Sequence, residues 1–91
     1  MGTKEKTSDL AEVSNKEELM KSLVLFNDDH NTFDFIISSL VDVCEHNFEQ
    51  AENCALIAHY NGKCQIKKGV IEKLRPLYVE MTNRQITVDI V

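Results

Sequence analysis

What this chain of 91 residues lacks narrows it quickly. It has no tryptophan, a single proline and three glycines, which excludes a collagen-like repeat or a Pro/Gly-rich linker. No apolar stretch approaches the roughly 18 residues needed to span a bilayer. The opening "MGTKEKTSDLAEVSNKEELM" also has no apolar core of the kind a secretory signal carries. Lys6 stands where a myristoylation signal beginning at Gly2 requires Ser or Thr. A cytoplasmic location is therefore expected. The three cysteines, Cys44, Cys54 and Cys64, are odd in number and include no Cys-x-x-Cys pair. With His59 they could in principle hold zinc, but the spacing favours small, reduced, buried thiols.

The most informative absence is of positive charge. Residues 27–61 carry seven acidic groups and no Lys or Arg, which disfavours nucleic acid as a partner there because phosphate contacts need clustered cations. Residues 62–91 reverse the balance, with six basic and three acidic groups. A solvated surface is the first explanation of that stretch, and contact with an acidic partner the second.

What is present is regular. Residues 1–18 are polar and without periodicity and are expected to form a flexible N-terminal arm, with a short helical turn near "NKEELM". Residues 19–91 form the domain. "SLVLF" (22–26) reads as a buried strand, and "NDDHNT" as the loop that ends it. Phe33, Ile36, Ile37, Leu40, Val41 and Cys44 then mark one face of a helix, with Asn31 or Thr32 as its N-cap. A second helix starts after Asn47, with Gln50 as a capping partner, and stops at Asn61-Gly62. "KCQIK" (63–67) is a strand. A third helix after Lys68-Gly69 is bent or shortened by Pro76, and "ITVDIV" (86–91) is a last strand. The order βααβαβ predicts a single small α+β domain, a three-stranded antiparallel-type sheet packed on helices.

Two stretches carry chemistry. Asn27, Asp28 and Asp29 crowd together with no neutralising Lys or Arg nearby, and His59 lies in the last turn of the second helix, where Ala51, Ala55 and Ala58 share a face. Taken singly, the first is a turn and the second a helix-end residue. Small residues at helical spacing imply close helix packing, or alternatively a cavity. A facial cluster of Asp28, Asp29, His30 and His59 can also be drawn as a metal or catalytic site. No nucleophile with a paired base accompanies it, and its spacing matches no hydrolase motif.

Together, "LVLFNDDHNTFDFII" and "AHYNGK" resemble ClpS, the adaptor of the bacterial Clp AAA+ protease, over roughly residues 22–91. The resemblance implies a ClpS-like fold and a monomeric binding protein that is not an enzyme and needs no cofactor or metal. Its partners would be the N-terminal domain of a ClpA-type or ClpC-type unfoldase and N-degron proteins beginning with Leu, Phe, Tyr or Trp. It further implies that Asn27, Asp28 and His59 grip the substrate's α-amino group and that Asp29 has a structural or partner-facing role. Phe26, Phe33, Ile36, Ala55 and Ala58 would line the pocket for the first side chain. The chemistry agrees: an ammonium has three N–H donors and one charge, and an amide oxygen, a carboxylate and a neutral imidazole nitrogen are complementary acceptors.

The departures are specific. Phe33 stands where the family usually has a Met that gates against β-branched side chains. Ala55 and Ala58 replace larger residues, which predicts a reshaped cavity that still takes large aromatics. Asn31-Thr32 replaces Thr-Pro, a change expected to affect loop stiffness more than ligand chemistry. The segment between His59 and the last strand is shorter than in better-known members, so a Leu that closes the family pocket has no counterpart here beyond the vicinity of Arg84 and Gln85. A domain that keeps this fold as a Clp-docking regulator, with altered or lost N-degron specificity, is the alternative.

Overall fold

Alternation along the first strand decides how the layers stack. In β1 (Met20–Phe26), Leu23 and Leu25 are fully buried against the helices, while Val24 points to the opposite face of the sheet. The computed structural model describes residues 19–91. The N-terminal arm expected over residues 1–18 lies outside the described residues, as does most of the turn expected near "NKEELM", whose Met20 opens β1.

The remaining elements are α1 (Phe33–Cys44), α2 (Phe48–Asn61), β2 (Lys63–Val70), α3 (Ile71–Asn83) and β3 (Val88–Ile90). The sheet has the order β2-β1-β3, with both pairings antiparallel. This is the α+β architecture read from the sequence. The helices converge on one core in which Leu23, Leu25, Leu40, Leu74 and Met81 are fully buried, with Ile66 of β2 packed among them.

Local signals explain most boundaries. Thr32 caps α1, its Oγ1 accepting the Phe35 N–H at 3.1 Å, which leaves Asn31 free for another task. Asn47 caps α2, its Oδ1 accepting the Gln50 N–H at 2.7 Å. Gly62 ends α2 in the left-handed region, with φ 95°.

Three boundaries differ from expectation, and pairing explains them. β1 starts two residues early and β2 runs three residues late because Met20 pairs with Val70 and Lys21 with Gly69. The Lys68-Gly69 break is thus inside a strand, and α3 follows directly from Val70 without a side-chain cap. The last strand is shorter than residues 86–91 because the Ile86 N–H goes to the Met81 carbonyl at 3.0 Å, closing α3 rather than extending the sheet. Pro76 sits inside a 13-residue helix, so it removes a hydrogen bond without ending the helix.

Arg84 ties α1 to the end of α3. Its Nη1 donates to the buried Ser39 hydroxyl at 3.2 Å and its Nε to Glu80 at 3.3 Å. Cys44 and Cys54 are buried and Cys64 half-buried. Burial pushes the Cys44 thiol up to about 11 and raises Cys54 further in the same direction, so both serve as protonated filler. Among the described residues, no helix is long and apolar enough to cross a membrane.

Candidate functional site

The loop after β1 and the end of α2 meet because the backbone joins them. The Asn27 N–H donates to the Gly62 carbonyl at 3.0 Å, and the Gly62 N–H donates to the Ala58 carbonyl at 2.8 Å. The left-handed glycine therefore does two things: it turns the chain out of α2 and presents its carbonyl to the loop. A Cβ there would meet nothing within 4 Å, so the demand is conformational rather than steric.

That junction forms one wall of a concavity lined by Leu25, Phe26, Asn27, Asp28, Asn31, Phe33, Ile36, Ala55, Ala58 and His59. Eight of the nine residues picked from the sequence line it, although they come from three separate segments. The ninth, Asp29, is exposed and does not line it. Nothing in the sequence marks Asn31, a candidate N-cap, or Leu25, a core position of the strand, as part of this lining.

The polar rim is not uniform. Asn27 and His59 are exposed, and the His59 ring meets Tyr60 edge to face with centroids 5.0 Å apart. The Asp28 side chain is only 8% exposed. Its Oδ1 accepts the Asn31 N–H at 3.0 Å, and its Oδ2 accepts Asn31 Nδ2 at 2.9 Å and the Thr87 hydroxyl at 3.2 Å. Of roughly four lone-pair positions on a carboxylate, three are thus used internally and one remains. Burial pushes the Asp28 carboxyl up, but these hydrogen bonds, led by the Asn31 side chain and helped by nearby His30, together hold it below its ordinary value of 3.8. The group stays ionised at neutral pH.

The concavity as a whole is small, about 40 Å³. Ala55 and Ala58 are both buried, so the small side chains let α2 lie close against its neighbours instead of hollowing out a cavity. Phe33, 38% exposed, stands in the wall.

The cluster drawn from Asp28, Asp29, His30 and His59 does not form as a unit. His30 Nδ1 is 3.8 Å from Asp28 Oδ1, while His30 Nε2–H donates to the Gln85 carbonyl at 3.0 Å. No group of three or more His, Cys, Asp or Glu side chains is arranged to hold a metal ion among the described residues.

Comparisons with known proteins bear on the family and the fold. The family model described as "ATP-dependent Clp protease adaptor protein ClpS" matches residues 16–86. The ClpS adapter proteins of Campylobacter jejuni strains 81-176 and RM1221 are each 37% identical to the chain over 57 residues, 63% of its length and 59% of theirs. The match therefore spans about three fifths of those relatives. Among solved structures, Agrobacterium tumefaciens ClpS2 bound to L-phenylalaninamide is similar, with a TM-score of 0.68 over 79% of this chain and 94% of that one. At 14% identity, that likeness concerns the fold.

Proposed function

The chain belongs to the ClpS family of Clp protease adaptor proteins, and from that premise we propose that it is a non-enzymatic adaptor for proteins with a free α-amino group and a bulky hydrophobic first residue. In this reading it hands such proteins to a Clp AAA+ unfoldase. One observation carries the reading: Asn27, Asp28 and His59 share a single concavity with Phe33, Ile36, Ala55 and Ala58. A substrate's ammonium sits at the polar rim and its first side chain enters between Phe33 and the two alanines. L-phenylalaninamide, named in the ClpS2 structure, has this pair of features, a free amine and an aromatic side chain.

The division of labour follows from exposure. Asn27 and His59 offer exposed acceptors, and Asp28, more deeply buried, supplies negative charge and its one remaining lone pair. Each charge-assisted hydrogen bond contributes about 1.5–3 kcal/mol, and burial of a Leu or Phe side chain about 1.5–3 kcal/mol. After the entropy of association, an affinity on the order of micromolar results, suited to cargo that must be released.

The small cavity favours a second reading, a Clp-docking regulator that keeps the fold with altered or lost N-degron specificity. A series of peptides beginning with Leu, Phe, Tyr, Trp, Ile and Val separates the two. The adaptor reading expects binding of the first four, with Ile and Val rejected by Phe33. Binding of none favours the regulator, and tight binding of Ile or Val refutes gating by Phe33.

A further inference from the structure

We propose that Asn31, Thr87 and the Gln85 carbonyl act as a positioning clasp that orients Asp28 and keeps its charge directed at the ligand's ammonium. The proposal rests on the adaptor reading; Asn31 also lines the concavity, whereas Gln85 and Thr87 lie outside its lining.

The clasp joins segments more than fifty positions apart. Asn31 Nδ2 lies 2.9 Å from Asp28 Oδ2 and 2.8 Å from the Gln85 carbonyl oxygen, so one amide group bridges the recognition loop to the α3–β3 turn. The same carbonyl accepts His30 Nε2–H at 3.0 Å. Gln85 holds a left-handed backbone with φ 63°. A residue with a side chain persists there only where its surroundings over-determine the conformation. Here that conformation presents a carbonyl to two donors on the loop.

One residue past Ile86, the Thr87 hydroxyl reaches Asp28 Oδ2 at 3.2 Å, while the Thr87 carbonyl accepts the Phe26 N–H at 2.9 Å. The Thr87 backbone is therefore fixed beside the last residue of β1, directly before the loop whose carboxylate its side chain holds. The bonds leave Asp28 little freedom and one acceptor position, which fixes the direction from which a cation approaches.

The charged groups around Asp28 are few. His30 stands 3.8 Å away, His59 lines the same concavity from α2, Asp29 is its exposed neighbour and Asp34 lies in the first turn of α1. From the α3–β3 turn only Arg84 carries charge, and its guanidinium is turned to Ser39, Glu80 and Asp42. Apart from His30, no cation among the described residues lies against Asp28, and its three hydrogen bonds come from neutral donors.

The test uses Thr87→Val, which keeps the shape and removes the donor, Thr87→Ser, which restores a hydroxyl, and Asn31→Ala. Two quantities are read: the acid titration of the Asp28 carboxyl in the ligand-free protein by carbon NMR, and the affinity for a Leu-initiated peptide at neutral pH. The clasp predicts that Asp28 titrates at higher pH in Thr87→Val and Asn31→Ala, and that affinity falls about three- to tenfold. Thr87→Ser should return both toward the parent. A titration unmoved in both variants overturns the clasp, as does a shifted titration with unchanged affinity. Failure of the parent protein to prefer a free amine over its acetylated counterpart overturns the adaptor reading instead, and that result is read without any variant.

Discussion

The two walls of the concavity are built on opposite plans. The wall made by residues 27–31 is polar and is held by hydrogen bonds from distant segments: Gly62 on one side, Gln85 and Thr87 on the other. The wall made by Ala55 and Ala58 has no side-chain hydrogen-bonding capacity, and its side chains are held by close packing. Directional groups need directional restraint, since a misplaced carboxylate loses most of its interaction with a cation. An apolar wall needs only volume and proximity. Under the proposed adaptor reading, the difference teaches that the two halves of recognition can be damaged separately.

The sharpest way to break the comparison is at the polar wall. Asp28→Ala should cost about 1.5–3 kcal/mol of binding, roughly ten- to a hundredfold in affinity by calorimetry, and, because it also strips three internal hydrogen bonds, should lower the thermal midpoint as well. A large stability loss with binding intact in the folded fraction would make Asp28 structural.

At the apolar wall the order reverses. Ala55→Leu forces extra methylenes between packed helices and should destabilise by about 1–3 kcal/mol, lowering the midpoint by about 4–8 °C per kcal/mol. If Leu is accommodated without loss, that wall has slack and the cavity opens more easily than its resting volume suggests.

Gly62→Ala tests the junction where the walls meet. Holding a left-handed backbone with a side chain costs about 1–2 kcal/mol, and chemical denaturation should show it along with a modest loss of peptide affinity. Asp29→Ala is the smallest case: an exposed carboxylate off the lining should change both stability and peptide affinity by no more than about 0.5 kcal/mol. A strong effect would mean that the loop contributes more than its clasped members.

The sequence was legible where the signal is local. The offsets from Phe33 to Cys44 give α1 its full extent because helical neighbours lie three and four positions apart. Asn47 and Gly62 mark the ends of α2 for similar reasons. The convergence of Asn27, Asp28 and His59 was legible only through the paired motif. What stayed hidden is non-local. Nothing near Asn31 indicates that its amide reaches Gln85, and nothing near Thr87 points back to Asp28. Likewise the strand through Gly69 exists because β1 pairs with it, and Ile86 fits a strand pattern yet completes a helix. Ser39, on the buried side of α1, becomes acceptable there because Arg84 supplies its partner from the far end of α3.

The central claim is that the rim of this concavity recognises a charged α-nitrogen. Calorimetric titration with two peptides of identical sequence beginning with Leu, one with a free amino terminus and one acetylated, addresses it directly. The account predicts binding on the order of micromolar for the first and none measurable for the second. Equal binding of the two, or binding of the acetylated peptide alone, would contradict it.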